Sequence, residues 1–204
     1  DGSGSISAAD YVLQRDAYVN ALTSLLPADG SVAVGVWQFS SNVTKEFSFT
    51  LIDTEAKKTA LLTAIGGMTQ PGGGTAIGNT IDAATTAIIA YGLGNLDKTL
   101  IDISTDGTNT SGGNPNTASA NAMAAGIDQV NCIGIGGGAN CGFTAGAGSF
   151  GLAANSFADF EGALRTKIER EILVSLVPEP ISLSLFGVGL LGLAYVRRSK
   201  KSMA

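Results

Sequence analysis

Three short segments of the chain concentrate small oxygen-bearing side chains beside glycine. The first is Asp1-Gly2-Ser3-Gly4-Ser5. The second is Thr75, at the end of Gly72-Gly73-Gly74. The third is Asp106, in Ser104-Thr105-Asp106-Gly107. Together Asp1, Ser3, Ser5, Thr75 and Asp106 offer carboxylates and hydroxyls but no imidazole or thiolate. Such a set suits a hard, six-coordinate cation. Mg2+ keeps several waters and needs few carboxylates, and Mn2+ or Ca2+ accepts the same donor types. The alternation Asp-x-Ser-x-Ser lets one tight turn aim several oxygens at one point, and the glycines between them permit that turn. Each piece also has a plainer reading: Ser5 or Ser7 as a helix N-cap, and Asp106-Gly107 as a simple turn.

These segments need elements to position them. Apolar spacing at Tyr11, Val12, Ala17, Tyr18, Ala21, Leu22 and Leu25 predicts a helix over Ser7–Leu26, stopped by Pro27 and Gly30. Ser31–Phe39 and Val43–Phe49 read as a hairpin whose alternating Trp37, Phe39, Phe47 and Phe49 belong to the core. Helices are expected over Thr54–Ile65, Thr75–Tyr91 and Asn116–Gly126, and strands over Lys98–Ser104 and Val130–Ile135. Phe150–Ala154 reads as a short edge strand. Ser156 to Asp159 is a capping box opening a last helix that runs to about Leu173. This alternation predicts an α/β fold, a doubly wound, mostly parallel sheet flanked by helices. Ligands of such sheets gather beyond the carboxyl ends of the strands, where the three oxygen-rich segments fall.

The body resembles the von Willebrand factor A (VWA) domain, whose metal-ion-dependent adhesion site (MIDAS) has the pattern Asp-x-Ser-x-Ser, a distant Thr and a distant Asp. Asp1, Ser3, Ser5, Thr75 and Asp106 match it in order, and the resemblance spans residues 1–176. It implies that the serines and the threonine approach a divalent cation directly, that the aspartates often act through water, and that a partner's acidic group takes the remaining position. It also implies a buried apolar strand immediately before Asp1, at the centre of the sheet. The chain starts at that Asp, so the expectation is an N-terminally truncated domain without its first central strand, less stable and weaker in Mg2+ binding than one that has it.

Other motifs carry less chemistry. Gly73 to Thr80 comes near a P-loop, but Asn79 stands where the phosphate-binding lysine belongs. Gly134-Ile-Gly136-Gly-Gly138 loosely matches a dinucleotide fingerprint, yet Asn140-Cys141-Gly142 follows where a helix should open, so a loop is the better reading. Cys132 and Cys141 are expected to form a disulfide if the protein is exported, and otherwise to be two small buried residues. The absence of histidine removes Ser-His-Asp and Cys-His catalysis. The 17 acidic residues outnumber the 12 basic ones. Four of those bases, Arg197, Arg198, Lys200 and Lys201, lie at the extreme C-terminus, so the body is more acidic still and would repel nucleic acid.

Ile181–Val196 is an uncharged run between Pro178-Glu179-Pro180 and Arg197-Arg198-Ser199-Lys200-Lys201. A helix over residues 181–196 would be about 24 Å long, close to spanning a bilayer, with its basic end cytoplasmic. This arrangement resembles a PEP-CTERM sorting signal. The resemblance implies that residues 177–204 are an address, processed near the Pro-Glu-Pro motif by a membrane exosortase, and that residues 1–176 form the exported VWA-like domain. The protein is therefore expected at the cell envelope, anchored by the helix or released to the extracellular matrix. There it would bind an acidic group of a protein or polysaccharide through the cation, and it is not expected to be an enzyme. Metal-assisted hydrolysis at the same ion is one alternative, although the three segments offer no general base. A matrix protein with a purely stabilising metal is another.

Overall fold

A computed structural model describes residues 1–176, with side chains through Ile172. The expected membrane helix at 181–196 lies outside the described residues. Among the described residues no helix is long and apolar enough to cross a membrane. The elements alternate as expected: α1 (Ala8–Leu25), β1 (Ala33–Phe39), β2 (Val43–Leu51), α2 (Glu55–Gly66), α3 (Ile77–Tyr91), β3 (Leu100–Thr105), α4 (Pro115–Ala124), β4 (Gln129–Ile135), β5 (Gly151–Ala154) and α5 (Phe157–Leu176).

Local chemistry sets several boundaries. Ser7 caps α1, its side chain accepting from the Asp10 N–H, and Thr54 caps α2 in the same way. Asn114 accepts from the Asn116 and Thr117 N–H groups, and Pro115 occupies the first turn of α4, where a missing N–H costs nothing. Ser156 opens α5, with its hydroxyl 2.8 Å from Asp159 Oδ2. Thr75 lies outside α3, whose N-cap is Ala76 without a side-chain cap. The expectation that the helix begins at Thr75 is corrected by two residues. The threonine backbone is instead held by the neighbouring loop.

The strands form two sheets. β1 and β2 pair antiparallel, and β3-β4-β5 pair in parallel in that order. The expected single doubly wound sheet is thus divided. The VWA resemblance implies a further strand at the centre of the sheet, and among the described residues no strand pairs with both β1 and β3. β4 is buried along its whole length, as a central parallel strand should be. Its Ile133 and Ile135 face a cluster with Leu22, Leu61, Phe160 and Leu164, while Val130 and Cys132 face one with Ile77, Ile81, Ile101 and Ile103. Helices therefore cover both faces.

The hairpin departs from simple alternation. Its register shifts between Val34 and Val36, and again between Val36 and Trp37. Irregularities of this kind reverse the faces that follow. Phe47 accordingly packs with Val34 and Val36, while Phe49 packs with Trp37 and Phe39 on the opposite side. Val12, expected in the buried stripe of α1, is 41% exposed.

Candidate functional site

The carboxyl ends of β1, β3 and β4 bring loops to one end of the fold. The Gly2 N–H donates to the Phe39 carbonyl at the end of β1 (2.7 Å), which docks the first segment there. Gln14, buried on α1, donates to the Asp1 carbonyl (2.7 Å). Gly2 has no room for a side chain, since a Cβ would sit 2.7 Å from Pro71 Cδ.

The turn then aims its oxygens. The Ser3 N–H donates to Asp1 Oδ1 (2.8 Å), and Thr105 Oγ1 donates to Asp1 Oδ2 (2.6 Å). Ser3 Oγ lies 3.0 Å from Ser5 Oγ, which donates to Asp106 Oδ1 at 2.9 Å. Ser3, Ser5 and Asp106 therefore form a continuous row of oxygens, with Asp1 fixed beside it through backbone and Thr105. Thr75 joins through main chain. Its N–H donates to Thr110 Oγ1 (2.9 Å), and its carbonyl accepts from the Thr110 and Ser111 N–H groups. The loop before it is stitched to the first segment by Gly4 N–H to the Gly73 carbonyl and Gly72 N–H to the Gly2 carbonyl, each 2.9 Å.

The donor set fits a hard cation. Six oxygens at about 2.0–2.1 Å from one ion are about 2.8–3.0 Å apart along each octahedral edge. The Ser3–Ser5 and Ser5–Asp106 hydrogen bonds, 3.0 and 2.9 Å long, are compatible with that spacing, as hydroxyl hydrogen bonds in general are. The basic side chains in ion pairs among the described residues bind Asp16, Asp53, Glu161, Asp102 and Glu171, leaving Asp1 and Asp106 without a lysine or arginine counterion. No three His, Cys, Asp or Glu residues cluster among the described residues, so a cation here would depend on the hydroxyls.

Several contributors had no legible sequence signal. Thr105, Gln14 and Gln70 are ordinary polar residues whose roles exist only after folding. Gln70 Nε2 donates to the Ser3 and Ile6 carbonyls (2.9 and 2.8 Å). Ser41 Oγ accepts from the Gly74 N–H (2.7 Å). Ser104, beside Thr105, turns away and meets the Tyr18 hydroxyl at 2.6 Å. Burial there holds the Tyr18 pKa well above its usual value.

The rival motifs resolve into structure. Asn79, in the P-loop-like run, accepts from the Gly113 N–H (2.7 Å) and so braces the loop after Asp106. The glycine run from Gly134 turns at Gly136, where φ is +70°, and no helix follows. Cys132 and Cys141 are joined by a disulfide, with their Cα atoms 5.6 Å apart.

A family model described as "Protein of unknown function (DUF1194)" matches residues 1–176, and a PEP-CTERM protein-sorting motif matches residues 176–199. No curated protein matches by sequence. Among solved structures, proximal thread matrix protein 1 (PTMP1) from the mussel byssus is similar, with a TM-score of 0.71 and 25% identity over 84% of this chain and 45% of that one. The same protein with a zinc-occupied MIDAS motif gives 0.67 and 24%, over 84% and 46%. Manganese-loaded TRAP protein from Plasmodium vivax gives 0.55 and 19%, over 82% and 70%. The chain thus spans less than half the length of PTMP1.

Proposed function

Because the chain belongs to the DUF1194 family, a VWA-like family, and carries a PEP-CTERM sorting motif, we propose that this exported surface protein binds a partner through a divalent cation. Asp1, Ser3, Ser5, Thr75 and Asp106 would hold the ion, with Mg2+ favoured and Mn2+ or Ca2+ as substitutes. The observation that carries this reading is the row Ser3–Ser5–Asp106, in which oxygen-bearing side chains from two segments about a hundred residues apart meet within hydrogen-bond distance. When bound, the cation supplies a Lewis-acidic seat for an acidic group of an extracellular protein or polysaccharide. The chain's own part is to orient the donors: Thr105 and the Ser3 N–H fix the Asp1 carboxylate, and Gln70 braces the serine turn through the Ser3 and Ile6 carbonyls. Because the hydroxyls are neutral, the ion keeps more of its charge for the partner.

In this reading residues 1–176 are the binding domain and residues 177–204 are the sorting address, presented to an exosortase. Binding is favoured over hydrolysis because Asp102, the carboxylate on the strand leading to Asp106, is engaged with Lys167 at 2.6 Å rather than free to act as a base. The test is Mn2+ titration of the full chain by calorimetry. Asp106→Ala should abolish cation binding while leaving the circular dichroism spectrum intact; unchanged affinity would count against the site. A matrix role with a purely stabilising metal is kept as a second reading by the likeness to a thread matrix protein. Partner binding that survives chelation would favour it.

A further inference from the structure

The Cys132–Cys141 disulfide closes the loop that leaves β4, and that loop rests on the third segment of the cation site. The Asn140 N–H donates to the Gly107 carbonyl (3.1 Å), one residue beyond Asp106. Gly138 packs so closely on the same segment that a Cβ would lie 2.9 Å from the Asp106 carbonyl oxygen. The loop is glycine-rich and largely exposed, with no helix or strand of its own between Gly136 and Asn140. Its fixed points are the Gly136 N–H to the Ala154 carbonyl (2.8 Å), Asn140 Oδ1 accepting from the Gly142 N–H (2.9 Å), and the disulfide to the buried Cys132.

We propose that the Cys132–Cys141 disulfide is a positioning device for Asp106: it holds the Gly136–Asn140 loop against Asp106-Gly107 and so sets the cation affinity of the site. This inference rests on the cation reading above. The chain of force is short. The disulfide fixes Cys141, the Asn140 N–H beside it fixes Gly107, and Thr105 Oγ1, which accepts from the Gly107 N–H (3.3 Å), also holds Asp1. Outer contacts of this kind orient ligands, and losing them typically weakens metal binding about 10–100-fold.

The test uses the full chain, oxidised, reduced with dithiothreitol, and as the Cys132→Ser/Cys141→Ser variant. Mn2+ affinity is measured by calorimetry and backbone protection by hydrogen exchange. Reduction should weaken Mn2+ binding about tenfold and release the Asn140 amide, with the circular dichroism spectrum unchanged. Gly138→Ala, with the disulfide intact, should weaken binding similarly by displacing the Asp106 carbonyl. In Asp106→Asn, reduction should have no further effect on residual binding, whereas general loosening of the domain would weaken both proteins alike. Reduced protein that binds Mn2+ within about twofold of the oxidised form, a difference smaller than any outer-contact loss, would overturn the proposal. If oxidised protein binds no Mn2+, the cation reading itself fails. The Asn140 amide then reports separately on whether the disulfide pins the loop.

Discussion

Two places in the molecule gather a pair of carboxylates, and they are treated in opposite ways. At the loop end, Asp1 and Asp106 meet hydroxyls and backbone N–H groups but no basic side chain. Beneath it, on the face of β3 opposite Ile101 and Ile103, Asp102 and Glu171 share a fully buried lysine, Lys167. Asn131 on β4 donates to Glu171 (2.9 Å), and Phe150 offers its ring to Lys167 and Arg170. Where the carboxylates serve only the fold, the chain carries its own cation. Where they are half-buried among hydroxyls, no lysine or arginine pairs with them, and under the proposed reading an ion from solution would be the complement. The difference separates a structural ion cluster from a candidate binding site more sharply than a count of acidic residues does.

The largest effect is expected from removing the internal cation. Lys167→Met would leave Asp102 and Glu171 buried without their ammonium, and breaking a buried pair in this way costs about 3–5 kcal/mol. Urea unfolding should show a loss of that size. A loss under about 1 kcal/mol, the range of a surface pair, would mean that the cluster contributes no more than exposed charges do.

A second effect follows from the cluster's imbalance of two carboxylates to one ammonium. Desolvation, followed by repulsion from Asp102, pushes the Glu171 pKa up from 4.5 to about 7, against the opposing pull of Lys167 and Asn131. The folded state therefore binds more protons than the unfolded state between those values, and stability falls as pH rises from 4.5 to 7. Thermal melts should show Tm declining across that window, and Glu171→Gln should flatten the slope. An unchanged slope in Glu171→Gln would assign the pH dependence to another group.

How much of this contrast is legible in the sequence depends on how local each signal is. Asp1, Ser3 and Ser5 sit in one turn, so their spacing alone announces shared geometry, and Asp106-Gly107 follows a strand that can be read from its β-branched residues. The Lys167 cluster draws on β3, β4 and α5, and nothing around Lys167 distinguishes it from a solvated helix lysine until α5 is laid on the sheet. Thr105 is hidden for the same reason: its strand parity is readable, but its partner Asp1 is 104 positions away. The four hairpin aromatics are legible as core residues, but which core cluster each one joins is not, because a register shift leaves no mark in an alternating apolar pattern.

A third expectation probes the open pair directly. Any ion that binds only the folded state stabilises it by mass action, by about 1.4 kcal/mol at ten times its Kd. Mn2+ should raise Tm in wild type and in Lys167→Met alike, because the two carboxylate pairs are separate. A Tm rise that depended on Lys167 would merge the two regions and remove the distinction drawn above.

The smallest effect is the most discriminating. Asp106→Asn removes one of two carboxylates that no basic side chain offsets, while keeping the shape that accepts from Ser5. Without divalent cations this should leave the protein equally stable or stabilise it by up to about 1 kcal/mol, the scale of a like-charge contact in water. With Mn2+ present the same variant should lose the mass-action gain. The sign of the substitution would thus depend on the ion in solution, whereas Lys167→Met destabilises with or without it. If metal-free Asp106→Asn instead unfolds more readily by several kcal/mol, well beyond that Coulombic scale, Asp106 is chiefly a structural acceptor for Ser5, and the open pair is a second internal network rather than a seat for a cation.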